Sequence, residues 1–312
     1  MSVYTTVKRS ELEHFLLRYD IGQLLDYRAI SAGITNTNYY LDTDKNQYVL
    51  TLYEHHNEEQ LNYILGLQQH LSSREVACSY PIVDRHACCF STLHNRPAAI
   101  NHRVYGEVEP VPGLEHCLLV GRELARFHLA GQDYQGYRPN PRGFDWWSAM
   151  RGELGQQMSA SELKLLDQNL DDYHKAGLEG LPAGPIHADL FHDNVLYHQQ
   201  DLAGIIDFDY ACNDYFIFDI AIVLNDWCAA IDGRLGNNRV QALLTGYQQV
   251  RTLLDQEKQL LPLMLRVAAL RFWLSRLYDQ TYPLEGEHTF IKCPDVYRDL
   301  LMLRSETGTL AP

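Results

Sequence analysis

The sequence is short of positive charge and has no long uninterrupted apolar run. Its 312 residues include 26 Lys and Arg against 40 Asp and Glu, which gives a formal net charge of −14. Nucleic-acid phosphates and anionic membrane surfaces repel such a chain, so we expect neither as a partner. The longest apolar stretch, Ile217–Leu224, is broken by Asp219, and the amino-terminal segment lacks an apolar core. We therefore expect no membrane span, no signal peptide and a cytoplasmic protein.

Cysteine is present, but not in the spacings of a metal site or a disulfide framework. The seven cysteines are an odd number, include no C-x-x-C pair and lie mostly within apolar runs. This usage predicts buried thiols in a reducing compartment.

The hydrophobic pattern predicts an α+β protein of two parts. Residues 1–103 alternate between strand and helix patterns, and residues 104–312 are mostly helical except around 184–209. In the first part, a helix over Thr6–Tyr19 has Ser10 and Glu13 as its predicted capping box. The strands predicted there are Tyr27–Ile34, Asn38–Thr43, Gln47–Tyr53, Ala87–Thr92 and Pro97–Asn101, with a helix over Glu58–Leu71. The helices predicted in the second part are Glu115–Gly131, Ser161–Lys175, Asp214–Ile231, Asn238–Leu254 and Pro262–Thr281.

The residues best suited to chemistry lie between Pro185 and Cys228. His187, Asp189 and Asn194 share one polar turn, and Asp207 follows at the end of the next predicted strand. Phosphoryl transfer needs a base that orients a hydroxyl and oxygen ligands that hold Mg²⁺ on the phosphates. The spacing resembles the kinase pattern H-x-D-x-x-x-x-N followed by D-F-G, which is much more specific than a lone motif.

The same segment departs from the protein kinases. It has HADL in place of HRDL and Asp209 in place of the last glycine of D-F-G. It resembles instead the aminoglycoside-phosphotransferase and choline-kinase-like family. Within that family, HADLFHDNVL, AGIIDF, LNDWC, LRFWLSRLYD, ISAGITNTNYYL and QYVLTLYE are similar to the bacterial homoserine kinase branch, over nearly the whole chain.

This resemblance implies a two-lobed protein-kinase-like fold, with a strand-rich N-lobe, a mostly helical C-lobe and ATP in the cleft. The implied reaction transfers the γ-phosphoryl group of ATP to the side-chain hydroxyl of L-homoserine, in threonine biosynthesis. The implied roles are Asp189 as the catalytic base, His187 as support for its loop, Asn194 and Asp207 as Mg²⁺ ligands, and Asp219 as the acid that braces the loop.

The nucleotide contacts are expected in the first part of the chain. A turn would cover the phosphates with its backbone amides, and a strand end would read the adenine edge. Thr51 stands where kinases usually carry a Lys for the α- and β-phosphates, and no nearby residue is a compelling replacement. The candidate nucleotide-binding residues are Gly33, Thr35, Asn36 and Asn38 in the turn, and Asn101 and Arg103 at the strand end.

The acceptor site needs a cation for the carboxylate of homoserine and an acid or carbonyls for its ammonium group. Arg271, in an apolar stretch of a late helix, is the candidate cation, because a buried arginine needs a partner. A salt bridge from Arg271 to Asp226 or Asp279 is an equally weighted alternative. Asp226 and Trp227, which follow a helix that starts near the metal site, are further candidates for the acceptor site.

Two other functions fit parts of the pattern. A kinase of choline, methylthioribose or an aminoglycoside would share the fold, but choline calls for an aromatic cage and an aminoglycoside for an acidic pocket. A pseudokinase-like binding module would explain Thr51. The intact residues Asp189, Asn194 and Asp207 argue against that module, because they supply the groups that phosphoryl transfer requires.

Overall fold

The computed structural model describes residues 5–30, 35–283 and 292–306, and the chain divides into two compact units. The first unit extends to Tyr105, and the second begins at Gly106. The first is rich in strands and the second is mostly helical, as expected for the predicted α+β class.

A five-stranded antiparallel sheet forms the frame of the first unit. Helices α1 (Arg9–Leu16) and α2 (Glu58–Ser73) cover its two faces, since Ile100 packs in the cluster that includes α1 and its neighbour Ala99 packs against α2. Successive residues of a strand point to opposite faces, which places the helices on opposite sides. The strands, in the spatial order β1-β2-β3-β5-β4, are β1 (Leu24–Ala29), β2 (Thr37–Thr43), β3 (Gln47–Leu52), β4 (Ser91–Leu93) and β5 (Arg96–His102).

Two predictions in the first unit were wrong at their boundaries. Ser10 does not cap α1, because the Lys8 backbone N–H donates to Glu11 Oε2 (2.8 Å) and the helix has already begun at Arg9. Glu13 pairs instead with Arg9. The first strand begins earlier than predicted and ends at Ala29, while the predicted continuation through residues 31–34 lies outside the described residues.

The second unit combines helices with two small sheets. Strands β6, β8 and β9 form one sheet, and β7 pairs with β10 in the other. Its strands are β6 (Glu107–Val108), β7 (Ala183–Ile186), β8 (Val195–His198), β9 (Asp201–Ile205) and β10 (Cys212–Tyr215). Its helices are α3 (Leu114–Gly131), α4 (Phe144–Glu153), α5 (Ala160–His174), α6 (Phe216–Trp227), α7 (Asn237–Gln248), α8 (Asp255–Thr281) and α9 (Asp295–Glu306), with 3₁₀ turns at Gly155–Gln157 and His192–Asn194.

Helices α3 and α7 approach closely at two glycines. A Cβ atom on Gly121 would lie 2.1 Å from the carbonyl oxygen of Leu243, and one on Gly246 would lie 2.0 Å from that of Leu118. Since real side chains do not approach backbone oxygens that closely, only glycine permits this contact.

Helix α8 begins at Asp255, seven residues before the predicted start at Pro262. Glu257 satisfies the helix start by accepting a hydrogen bond from the Leu254 N–H (2.9 Å) and also pairs with Arg251 (3.0 Å). Pro262 lacks the N–H of the helical ladder, but the residues around it are buried, so packing carries the helix through this position.

Four cysteines are buried as predicted, whereas Cys88 and Cys293 are exposed and Cys89 is intermediate; all seven are free thiols. None of the helices in the described ranges has the length and the apolar character needed to cross a membrane.

Candidate active site

The predicted catalytic loop follows β7, and the side chain of Asp219 on α6 accepts hydrogen bonds from its backbone. The Asp219 carboxylate accepts the backbone N–H of His187 at Oδ2 and that of Ala188 at Oδ1, each at 2.9 Å. Ala188 adopts a left-handed conformation (φ 61°), which costs a non-glycine residue about 1–3 kcal/mol. The two hydrogen bonds to Asp219 hold this backbone shape, so Asp219 lies where a brace for the loop is needed.

Asp219 is itself fixed by a buried chain of polar groups. His128 on α3 donates from Nε2 to Asp219 Oδ2 (3.1 Å), and its Nδ1 accepts from the Tyr247 hydroxyl (2.8 Å). Burial raises the pKa of Asp219, but the hydrogen bonds from His128 and the loop outweigh it and lower the pKa below its usual value. Burial lowers the pKa of His128. The neutral imidazole of His128 therefore donates a hydrogen bond to the charged carboxylate of Asp219.

His187 uses both ring nitrogens within the protein. Its Nε2 donates to the carbonyl of Ile206 (3.1 Å), and its Nδ1 accepts the Asp189 N–H (3.3 Å). The side chain is fully buried, and burial lowers the pKa of His187. His187 thus ties the catalytic loop to the segment before Asp207, which makes it a positioning residue.

The Asp189 side chain lies at the surface of this buried frame. It is 19% exposed, and its Oδ1 accepts a hydrogen bond from Arg271 Nη1 (3.2 Å). Burial raises the pKa of Asp189, and the positive charge of Arg271 opposes that effect. Asn194 Nδ2 donates to the Asp189 carbonyl (2.8 Å), so the amide nitrogen is committed to the loop. The amide oxygen is the atom of Asn194 suited to a cation.

Asp207 follows β9 by two residues, in a left-handed conformation (φ 63°). Asp207 is exposed at the surface, yet nearby protein atoms and the carboxylates of Asp209 and Asp189 raise its pKa well above its usual value. Crowded carboxylates of this kind are stabilised by a cation.

The described residues contain no group of three or more His, Cys, Asp or Glu side chains arranged to hold a metal. A complete protein cage for a metal is therefore absent from the part of the chain described here. Mg²⁺ does not require one, since it usually keeps waters and binds one or two protein oxygens together with substrate phosphates. The oxygens of Asn194 and Asp207 fit a magnesium ion held in that way.

Arg271 is 3% exposed and lies between two aromatic rings, with its guanidinium carbon 4.7 Å from the centre of Tyr210 and 3.8 Å from that of Phe272. Its Nη1 pairs with Asp189, so neither of the alternative partners, Asp226 or Asp279, forms the expected salt bridge. Its Nη2 is buried and has no hydrogen-bond partner among the described residues.

The other two acceptor candidates hold the loop. Asp226 Oδ2 accepts from both the backbone N–H (2.7 Å) and Nδ1 (2.8 Å) of His192, and this hydrogen bond raises the pKa of His192. Trp227 is 1% exposed, and its Nε1 donates to the Leu190 carbonyl (3.1 Å). The contacts observed for Trp227 are those of a buried loop support, so an acceptor contact needs a rearrangement that its packing opposes.

Of the predicted nucleotide-binding residues, Gly33 lies outside the described residues. The Thr51 hydroxyl donates to Asn38 Oδ1 (2.8 Å), so these two residues satisfy each other on neighbouring strands. Asn36 is buried, and its Oδ1 accepts the Glu54 N–H (3.4 Å). Thr35 precedes β2 and is partly exposed.

The two candidates at the end of β5 differ in their surroundings. Asn101 is buried, and its Oδ1 has no hydrogen-bond partner in residues 5–30, 35–283 and 292–306. Arg103 packs over the rings of Tyr40 (4.3 Å) and Tyr105 (5.1 Å) and donates to Gln47 Oε1 (2.6 Å). Their role in nucleotide binding stays a prediction.

The sequence did not single out the partners of Asp219 and Arg271. The contact between His128 and Asp219 joins elements 91 residues apart in sequence, which no local pattern indicates. Tyr210 beside Arg271 was not predicted either. Its position three residues after Asp207, a predicted metal ligand, was the available signal.

The chain is similar to proteins of known activity. Residues 26–253 match the family described as the phosphotransferase enzyme family. A homoserine kinase of Methylobacillus flagellatus is 41% identical over 301 residues, covering 96% of this chain and 94% of that protein. A homoserine kinase of Neisseria meningitidis serogroup B is 39% identical, covering 97% and 99%.

Solved structures of small-molecule kinases have the same fold. An amicoumacin kinase in complex with AMP-PNP and Ca²⁺ has a TM-score of 0.74 at 16% identity, covering 98% of this chain and 96% of that one. A microcompartment-associated aminopropanol kinase has a TM-score of 0.69 at 19% identity, covering 96% and 98%. The predicted kinase-like α+β fold is thereby confirmed.

Proposed function

The chain belongs to the homoserine kinases of the phosphotransferase enzyme family, and on that premise we propose that it transfers the γ-phosphoryl group of ATP to the side-chain hydroxyl of L-homoserine. The homoserine kinases of Methylobacillus flagellatus and Neisseria meningitidis match nearly the whole chain. Their name supports L-homoserine as the acceptor. The product, a phosphorylated homoserine, places the enzyme in threonine biosynthesis.

The observation that carries this proposal is the buried guanidinium of Arg271 beside the proposed base. A positive charge next to Asp189 repels cationic acceptors such as choline and aminoglycosides. It attracts an alcohol that carries a carboxylate, and a buried arginine forms strong hydrogen bonds with that group. Homoserine has both the hydroxyl and the carboxylate.

In the proposed reaction, Asp189 orients the homoserine hydroxyl and accepts its proton as the new O–P bond forms. The bond between the γ-phosphorus and its bridging oxygen breaks, and ADP leaves. The raised pKa of Asp189 makes it a better proton acceptor than a fully solvated carboxylate. Arg271 and the loop hydrogen bonds keep its carboxylate in place.

The metal ligands would be Asn194 and Asp207. Mg²⁺ held by these oxygens would neutralise the charge of the ATP phosphates. Asp219, His187 and Trp227 hold the backbone that carries these residues.

We assign nucleotide binding in the first unit to the turn that includes Gly33, Thr35, Asn36 and Asn38, and to Asn101 and Arg103. The unpartnered Oδ1 of buried Asn101 supports this assignment, because such an atom gains a hydrogen bond when a ligand donor approaches. Thr51, which stands where kinases usually carry a lysine, donates its hydroxyl to Asn38.

A coupled ADP-release assay with Mg²⁺ and ATP tests the proposal. L-homoserine, choline, methylthioribose, L-serine and an aminoglycoside are compared at matched concentrations. Selective turnover of L-homoserine is expected. Preference for another alcohol would contradict the proposed acceptor, and no Mg²⁺-dependent turnover with any of them would favour a pseudokinase-like binding module.

A further inference from the structure

Three polar side chains, the first of which contacts the proposed base Asp189, lie along a single face of α8. Arg271, Ser275 and Asp279 are spaced four residues apart on this helix. Residues four apart in an α-helix lie on the same face, one turn above another. We call these three residues the α8 stripe. The stripe begins at the guanidinium that contacts Asp189. Each of its residues lies about 6 Å further along the helix axis than the one before.

Two atoms of the α8 stripe are buried without a partner. Within the part of the chain that the structure describes, Arg271 Nη2 has no hydrogen-bond partner although the residue is 3% exposed, and Ser275 Oγ has none either. Buried donors without acceptors are costly and uncommon in folded proteins. Two such donors one helical turn apart are matched by a ligand with two acceptor oxygens, such as a carboxylate.

The α8 stripe is positively charged at Arg271 and negatively charged at Asp279. Burial raises the pKa of Tyr210, and the charges that act on this phenol are those of Arg271, Arg142, Asp189 and Asp279. These four groups therefore border one region. Burial also raises the pKa of Asp279, and Arg142 and Arg271 oppose it, so Asp279 lies within the field of both cations.

We propose that the α8 stripe binds the α-amino-acid group of the acceptor. The carboxylate accepts hydrogen bonds from Arg271 Nη2 and Ser275 Oγ, and the ammonium group donates to Asp279. This inference rests on the proposed function and identifies what distinguishes the acceptor from other alcohols.

The arrangement also fits the size of homoserine. Its reactive hydroxyl is two methylene groups from the α-carbon. One Nη atom of Arg271 contacts Asp189, where the hydroxyl is activated, and the other is unpartnered, where the carboxylate would bind. A single guanidinium therefore links the reacting end of the substrate to its amino-acid end.

Three acceptors separate the contributions of the two charged groups. L-homoserine carries both, 3-amino-1-propanol lacks the carboxylate, and 4-hydroxybutyrate lacks the ammonium group. In Ser275→Ala we expect KM to rise about tenfold for homoserine and 4-hydroxybutyrate but to change little for 3-amino-1-propanol. In Asp279→Asn we expect a similar rise for homoserine and 3-amino-1-propanol but not for 4-hydroxybutyrate.

Matched variants control for nonspecific damage. Ser275→Thr keeps the hydroxyl and should restore the KM for homoserine. Ser305→Ala removes a hydroxyl that already donates to the Leu301 carbonyl (2.8 Å) on α9, and Asp171→Asn removes an exposed acid paired with Lys175. Both controls should keep KM within about twofold. The increase in Tm that L-homoserine causes in the wild type should be reduced in Ser275→Ala and Asp279→Asn only.

The outcomes distinguish the two proposals. If the wild type phosphorylates homoserine but Ser275→Ala and Asp279→Asn keep its KM, its Tm shift and its preference over both analogues, the α8 stripe is not the acceptor site, and the proposed function stands. If the wild type does not phosphorylate homoserine, the proposed function fails and the site fails with it.

Discussion

At the scale of single residues, three aspartates of one site differ because their surroundings differ. Asp219 is buried but receives three hydrogen bonds, which lower its pKa and keep it charged. Asp189 receives one from Arg271, and burial raises its pKa. Asp207 is crowded by other carboxylates. These different surroundings are consistent with the proposed roles of Asp219 as a brace for the loop, Asp189 as the proton acceptor and Asp207 as a metal ligand.

Asp189→Asn removes the proposed proton acceptor without changing the size of the side chain. We expect kcat to fall by about 10²–10⁴-fold, the usual contribution of a general base, with a small change in KM. Asp193→Asn, an exposed acid of the same loop, should stay within a few-fold of the wild type. Turnover of Asp189→Asn within a few-fold of the wild type would show that another group is the base.

His128 gives the folded protein a pH dependence. Its pKa is lowered in the folded state, so the unfolded state binds more protons below the unfolded value of about 6.5. The contribution of His128 to the free energy of unfolding is fully present above that pH. It is lost as the pH falls below it, by up to about 1.4 kcal/mol per pH unit. The charged and titratable groups around the ring are Asp219, Tyr247, Arg251 and Glu257.

Urea denaturation of the wild type and His128→Gln between pH 5 and pH 8 measures this contribution. The stability of His128→Gln should fall less steeply with decreasing pH, and a neutral side chain at this position should leave the m-value unchanged. Equal slopes for the two proteins would mean that His128 does not contribute to the pH dependence.

At the scale of elements, the site depends on helices that lie outside it. Helix α6 supplies Asp219, Asp226 and Trp227, which all bind the backbone of the catalytic loop. Helix α3 supplies His128, and its close packing on α7 brings Tyr247 to that histidine. The position of the proposed base, Asp189, therefore depends on contacts between helices as well as on the loop.

Gly121→Ala tests the contact between α3 and α7. Its methyl group would meet the Leu243 carbonyl oxygen, so the helices must separate, and we expect a loss of about 1–3 kcal/mol in the free energy of unfolding. Gly152→Ala on α4, with no heavy atom within 4 Å of the added carbon, should instead be neutral or stabilising by up to about 1 kcal/mol. Equal denaturation midpoints for the two variants would contradict the close contact.

At the scale of the whole molecule, the net charge of −14 acts differently on the two substrates. Mg·ATP is an anion and is repelled, whereas homoserine is a neutral zwitterion. Charges specific to the site act over short distances, but the repulsion of the whole surface is screened as salt is added.

We expect the KM for Mg·ATP to fall about two- to threefold between 10 and 150 mM KCl, because screening weakens the repulsion. The KM for homoserine should change little over the same range. Steady-state kinetics at fixed free Mg²⁺ measure both values. A rise in the KM for Mg·ATP would indicate that local cations of the site, rather than the overall charge, control its binding.

Sequence alone was enough for the features that depend on local spacing. The fold class follows from hydrophobic periodicity, and the kinase pattern follows from the fixed intervals between Asp189, Asn194 and Asp207, because each interval lies within a single turn or hairpin. Elements with weak local signals were missed. Strand β7 contains Gly184 and Pro185, which disfavour strands, and it forms only because β10 pairs with it.

The tertiary structure decided which residues meet. The partner of Arg271 could not be read from the sequence, because Asp189, Asp226 and Asp279 are all suitable acids and helix packing determines which one it reaches. Asp226 and Trp227 lie at the end of α6 and were predicted to contact the acceptor, yet their side chains hold the loop. The sequence by itself determined the predicted chemistry of this protein, because residue type and local spacing define the candidate reacting groups. Only the folded chain brings distant elements into contact, and those contacts decided which partner each charged side chain has.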